Sequence, residues 1–250
     1  MTMFVAVNSN KLHRPNRTVR TMTSILPKSR TFAGIALIDS PVVNAALEYA
    51  RAHNDNMSFN HVYRSWVFGA MIASKLPKFS NVDLEIHAVS AVLHDLAWDY
   101  KSVFSTPDKR FEVDSANAAR EFIDRMAPQW DSRKRQLVWD GIALHTTGSI
   151  ARYKEPEVAL CHLGISADFI GPAFPEDVIS RADFNAVIQE LPRLDFKEGF
   201  TQIVCNLCIH KPETTYDSFL KEFGIRFVKG YEVPSEVDKI LKAIDATAEA

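Results

Sequence analysis

The apolar run over residues 84–98 (L-E-I-H-A-V-S-A-V-L-H-D-L-A-W) constrains the fold of this chain more than any other stretch. It has the pattern of a helix buried inside a domain rather than lying on its surface. It is also shorter than the roughly 18 residues that mark a membrane span. Near its end stand two polar residues, His94 and Asp95. A carboxylate taken out of water costs several kcal/mol unless something compensates it. A divalent cation is the obvious compensator, so the fold must deliver further ligands to this point.

The rest of the chain offers helices. Ser40-Pro41 supplies a cap and a first-turn proline for a helix over 40–53. Further helices are expected over 61–76, 82–98 (capped by Asp83 or Asn81), 114–126, 132–146, 156–170, 196–209, 215–223 and 235–246, with two helical pieces within 174–191. Prolines and glycines such as Pro77, Pro128, Gly148 and Pro212 stop them. No stretch shows sustained period-2 alternation between hairpin turns. The expected fold is therefore all-α: one helical bundle over residues 39–250 with short loops. The longest loop, 99–113, follows the His-Asp pair and is read as either a lid over a site or a surface Ω-loop.

Residues 1–38 differ in composition. They carry Lys11, Arg14, Arg17, Arg20, Lys28 and Arg30, and no acidic residue precedes Asp39. This reads as a flexible N-terminal extension, or as a mitochondrial presequence. A cytoplasmic location is expected, with the mitochondrion as the alternative. Over all 250 residues the net charge is −2, with 46% hydrophobic and 24% charged residues. That balance gives no basic field for nucleic acid, and no membrane partner is expected. Three cysteines are too few for a disulfide framework. Cys205 and Cys208 form a single C-x-x-C that reads as buried helix rather than a metal or redox site.

Candidate ligands come from several of these helices: His61, the adjacent His94 and Asp95, and Asp168 in the otherwise apolar H-L-G-I-S-A-D-F-I-G. Alone, each has a plain structural reading as a satisfied core polar residue. Together, two histidines and two aspartates make an N2O2 set suited to one divalent ion, zinc first, with iron or manganese as alternatives. Adjacent helical residues diverge by about 100°, so His94 and Asp95 can both reach an ion lodged between helices. His145 lies in the last turn of W-D-G-I-A-L-H-T-T-G. His87 precedes His94 by seven residues and reads as core.

The order H…HD…D, with N-H-V-Y-R-S-W, A-V-L-H-D-L and G-I-S-A-D-F around its members, resembles the HD-domain superfamily of metal-dependent hydrolases over about residues 40–210. Within it, the chain is similar to the cyanamide hydratase group, through Asn60-His61, I-A-L-H-T-T and R-F-E-V-D-S-A-N-A-A. The resemblance implies that His61, His94, Asp95 and Asp168 hold one metal, which lowers the pKa of a bound water toward neutrality. His145 would face the substrate or that water, and Asp95 or His145 would move the proton. Trp98, Lys109 and Arg110 are the expected substrate contacts, the two cations from the loop.

Two departures from the pattern direct the functional reading. Many HD phosphohydrolases carry H-D-x-x-K, and here that lysine position is Trp98. The segment L-A-W-D-Y-K-S-V also differs from the H-D-I-G-T-T of cyanamide hydratases. The expected function is thus a metal-dependent hydrolase or hydro-lyase acting on a small molecule, with hydration of a C–N multiple bond (cyanamide, nitrile or isonitrile) foremost. The alternatives are a phosphohydrolase of nucleotides or phosphomonoesters, with Lys109 and Arg110 on the phosphate, and a non-catalytic metal-binding scaffold. The expected partner is the small-molecule substrate, and homo-oligomerisation is left open.

Overall fold

A computed structural model describes residues 28–248 of the chain. Those residues form an all-α fold with one small hairpin. Strands β1 (Ser29–Phe32) and β2 (Ile35–Ile38) pair antiparallel, Arg30 opposite Leu37. The turn Ala33-Gly34 joins them, with both residues at positive φ. There follow α1 (Pro41–His53), α2 (Asn56–Lys75), α3 (Leu84–Leu93), α4 (Phe111–Met126), α5 (Ser132–Ala143), the short α6 (Gly148–Ala151), α7 (Pro156–Ile170), α8 (Arg181–Glu190), α9 (Phe196–His210), α10 (Leu220–Phe227) and α11 (Glu236–Ala248). No described helix is long and apolar enough to cross a membrane.

Side-chain caps fix several helix starts by taking amide donors that the first turn leaves unpaired. Asp55 accepts from Ser58 N at 2.7 Å, so α2 begins well before the expected 61. Asp83 accepts from Glu85 N and Ile86 N, and Asp131 accepts from Lys134 N at 2.8 Å. The 174–191 stretch holds one helix rather than two, because 171–180 is turns. Likewise α10 starts at Leu220, after Pro212–Thr214 has formed a 3-10 turn.

The hairpin corrects the expectation of a flexible segment up to residue 38. Leu37 is buried in the main core beside α2 and α3, and Asp39 N donates to Lys28 O at 2.7 Å. Alternation over four residues per strand is too short a signal to stand out in sequence. The presequence reading falls on residues 1–27, outside the described residues.

Helix α3 is the centre of the bundle, packed against α1, α2, α5 and α7. From Ile86 to Trp98 every residue is buried. The most extensive pairing is between α2 and α7, which approach closely at Gly164 and Gly69. A Cβ on Gly164 would stand 2.5 Å from Ser65 O and 2.9 Å from Gly69 Cα. A second, smaller apolar cluster joins Trp98 and Phe111 to α9 and α10 through Phe196, Leu207 and Leu220. The candidate site opens between this cluster and the main core.

Candidate metal centre

The expected helix over 82–98 stops at Leu93, and the reason builds the site. A continuing helix would give the Ala91 carbonyl to Asp95 N. Instead His94 Nδ1 donates to Ala91 O at 2.8 Å, and Ala97 N donates to Ser115 Oγ at 3.0 Å. The chain turns, and His94 and Asp95 both point between helices while remaining buried. His145 repeats the device two residues past the end of α5, where Nδ1 donates to Ile142 O at 2.7 Å. His61, in the second turn of α2, donates from Nδ1 to Asp168 Oδ2 at 2.7 Å.

With each Nδ1 spent on its own acceptor, the three imidazoles turn their Nε2 atoms toward one site. His61 Nε2 lies 3.3 Å from His94 Nε2. Asp95 Oδ2 lies 3.0 Å from His94 Nε2 and 3.5 Å from His61 Nε2. His145 Nε2 stands 3.9 Å from Asp95 Oδ1. Burial pushes His61 down from its ordinary value and His145 down to about 4, so both favour the neutral form. Burial works to raise Asp95; what holds it below the usual carboxylate range is positive charge on the surrounding imidazoles, so the carboxylate needs a cation beside it, a proton on those rings or a metal ion among them.

Acceptors facing acceptors at hydrogen-bond distance repel unless a cation lies among them. For ligand bonds of about 2.0–2.1 Å, neighbouring donor atoms in tetrahedral or octahedral coordination stand roughly 3.0–3.4 Å apart, close to the separations here. Each imidazole also has its second nitrogen fixed by a carboxylate or a carbonyl, as metal-ligating histidines do. His61, His94 and Asp95 thus form a buried group that could hold a metal ion.

Asp168, the expected fourth ligand, stands behind His61 rather than in this group. Arg64 Nε donates to its Oδ1 and Arg64 Nη2 to its Oδ2, both at 2.8 Å, a side-on pair with both residues fully buried. Arg193 donates to Oδ1 at 3.2 Å and to the Asp168 carbonyl. Burial works to raise Asp168, but the hydrogen bonds from His61 and Arg64 prevail and keep it down to about 2. The sequence reading missed Arg64 as the reason Asp168 is engaged elsewhere. Its signal was present: a cation three residues after His61 in a helix with a buried face.

A cavity of about 340 Å³ opens beyond the cluster, with Asp95, His61, His94 and His145 at its polar end. Trp98 is on its wall, stacked on His61 with ring centres 5.8 Å apart. His162 also lines it, and its Nδ1 donates to His145 O at 2.7 Å. The two expected loop cations are elsewhere. Lys109 is half-buried, pairs with Asp108 at 3.0 Å and reaches Thr106 Oγ1 at 3.5 Å. Arg110 pairs with buried Glu112 at 2.6 Å and with Asp217 at 3.7 Å. Their correction follows from Glu112 and Asp114, which anchor the loop from α4. Asp114 accepts from Thr106 N and Oγ1 at 2.8 Å and from Lys211 Nζ at 3.1 Å. The loop is therefore pinned to the body of the domain.

His87 is core, as expected: its Nε2 reaches Trp66 O at 3.2 Å and the ring fills the space beside Gly69. Cys205 and Cys208 are free thiols whose pKa burial raises; Cys208 is buried as expected, whereas Cys205 is only half-buried.

Fold and site together define an all-α protein with a buried His-Asp cluster able to hold a metal ion. No family model matches the chain, and no curated protein matches it.

Proposed function

We propose that this protein is a metal-dependent hydrolase or hydro-lyase of the HD-domain type that adds water to a small uncharged molecule. Hydration of a C–N multiple bond in a nitrile, isonitrile or cyanamide is the foremost reaction. The observation that carries the reading is the convergence of two Nε2 atoms and a carboxylate oxygen, with a third Nε2 beside them, at the end of a cavity.

His61, His94 and Asp95 would hold the ion; two nitrogens and one oxygen suit zinc, iron or manganese and leave room for other ligands. When bound, a divalent cation supplies Lewis acidity, which makes a water easier to deprotonate and an electron-rich substrate atom easier to attack. Asp168 and Arg64 keep the His61 ring in one tautomer and orientation. The Ala91 carbonyl does the same for His94.

His145 Nε2 is the proton carrier. Its Nδ1–H is committed to Ile142 O, so Nε2 is free to accept. In nitrile hydration the water oxygen bonds to carbon and gives a proton to Nε2, which passes it to the nitrile nitrogen; a further proton shift yields the amide. A histidine held neutral near physiological pH is suited to accept first. Asp95 Oδ1 beside Nε2 favours the protonated ring once it forms.

The phosphohydrolase alternative is disfavoured because Lys109 and Arg110 are paired with acidic side chains and do not themselves line the cavity, Arg110 reaching only its Thr146 wall at 3.3 Å. The test is a panel of cyanamide, nitriles and isonitriles beside phosphomonoesters and nucleotides, offered to protein reconstituted with zinc, iron(II) or manganese. Hydration is expected, with kcat reduced on the order of 10²–10⁴-fold in His145→Gln. Turnover of phosphate esters alone would sink the proposal.

A further inference from the structure

The polar end of the cavity is small, and the rest of it is aromatic. Five phenylalanines line it: Phe111 from α4, Phe169 from α7, Phe200 from α9, and Phe219 and Phe223 from or beside α10. Phe169, Phe219 and Phe223 form a connected set around Phe200, and Phe111 stands apart against His145. The Phe200 ring centre is 5.0 Å from Phe169 at 66°, 5.6 Å from Phe223 at 88°, and 6.3 Å from Phe219 with the planes nearly parallel. These are the edge-to-face and offset arrangements that aromatic rings prefer, and a further ring can join them. Phe169 and Phe219 are also 43% and 37% exposed, so the mouth presents apolar surface to water.

Among the described residues, no lysine or arginine lines the cavity. Cations behind the wall are paired with carboxylates: Arg64 and Arg193 with Asp168, and Arg110 with Glu112, although Arg110 also donates to Thr146 of the wall at 3.3 Å. Asp95 would offset half the charge of a divalent ion beside it. In the aromatic part of the cavity, away from the metal ligands, an anion would lose its water with no side-chain cation to replace it. Size points the same way. A cavity of about 340 Å³ has space for about ten waters at roughly 30 Å³ each. A three-atom substrate would leave most of the wall uncovered, whereas a dry apolar cavity of about 150 Å³ is enough to bind benzene.

We infer that the site takes an uncharged molecule with an aromatic body, seated among Phe169, Phe200, Phe219 and Phe223 with its polar group toward His94, Asp95 and His145. Phe200 and Phe223 determine specificity. The inference rests on the proposed function only for the identity of that polar group; the seating of the ring stands on the cavity wall alone.

The test is calorimetric binding to the full-length protein, with and without zinc, of benzonitrile and benzamide beside benzoate, phenyl phosphate and cyanamide. Benzonitrile and benzamide are expected to bind at least tenfold more tightly than the other three. Phe200→Ala and Phe223→Ala should each weaken benzonitrile binding at least tenfold. Phe223→Leu, a smaller change to the fold, should weaken it by several-fold, with its circular dichroism unchanged. Tightest binding by phenyl phosphate or benzoate overturns the inference, as does cyanamide binding that matches benzonitrile. The ranking on the unaltered protein decides this even where a variant fails to fold. Benzonitrile binding with no hydration of any panel member would keep this inference and overturn the proposed function. Hydration of cyanamide alone, indifferent to Phe200 and Phe223, would do the reverse.

Discussion

Replacing Asp168 with Asn separates two roles for this residue. In the structure its carboxylate pairs side-on with Arg64, at 2.8 Å on both oxygens, and receives the His61 Nδ1 hydrogen at 2.7 Å. Arg64 and Asp168 are both fully buried. The amide keeps the volume and one acceptor oxygen but removes the charge, leaving a buried guanidinium with no carboxylate and only neutral acceptors, among them the Leu191 and Pro192 carbonyls, each at 3.2 Å. Removing one partner of a buried pair typically costs about 3–5 kcal/mol. At roughly 2–4 °C per kcal/mol for a chain of this size, the melting temperature should fall by about 6–20 °C. His61 also loses the carboxylate that orients it. Losing such an outer partner lowers metal affinity about 10–100-fold, which is about 1.4–2.7 kcal/mol. Thermal unfolding by circular dichroism and calorimetric zinc titration measure the two effects. Unchanged melting and unchanged affinity would refute the reasoning. Complete loss of zinc binding in a folded variant would make Asp168 a direct ligand, as the sequence resemblance implied, rather than the support of one.

Burial holds His87 at about 4, against an ordinary 6.5, with the Trp66 carbonyl opposing only weakly. The unfolded chain therefore binds a proton between pH 6.5 and 4 that the folded chain refuses. The stability is fully present above 6.5 and falls by about 3 kcal/mol as the pH drops to 4. Urea unfolding with a chelator present, over pH 7.5 to 4, should show a shallower decline in His87→Gln than in the parent; parallel curves would contradict the assignment. Gly164→Ala would place a Cβ 2.5 Å from Ser65 O, which is backbone and cannot turn away. The substitution should cost about 1–3 kcal/mol by overpacking and weaken zinc binding, because α2 and α7 carry His61 and Asp168; a full-stability variant would refute the close approach. Lys109→Ala removes a solvent-screened pair with Asp108 and a long 3.5 Å contact to Thr106, so stability should change by less than about 0.5 kcal/mol. Ligand binding should not change, and a marked loss of it would return Lys109 to the site.

The elements whose signals are local were legible in the sequence. The caps at Asp83 and Asp131 and the first-turn prolines of α1 and α7 place helix starts by chemistry contained within a few residues. The polar pair in an apolar run located the cluster, because burying His94 and Asp95 demands a partner wherever the chain goes. The direction of Asp168 was not legible, because its choice of Arg64 depends on how closely α2 and α7 approach. The aromatic cavity was hidden for the same reason. Phe111, Phe169, Phe200 and Phe223 come from four separate helices, and in sequence each reads as an ordinary core residue. Lys109 and Arg110 looked free because sequence alone does not reveal that Asp108 and Glu112 would neutralise them.

The central claim is that His61, His94 and Asp95 hold a divalent metal ion. It is tested most directly by elemental analysis and zinc titration of the protein beside His94→Ala, with folding checked by circular dichroism. The account predicts about one equivalent of metal in the parent and at least a hundredfold weaker binding in a folded His94→Ala variant. A parent that binds no divalent metal, or a variant that keeps it undiminished, would contradict the account.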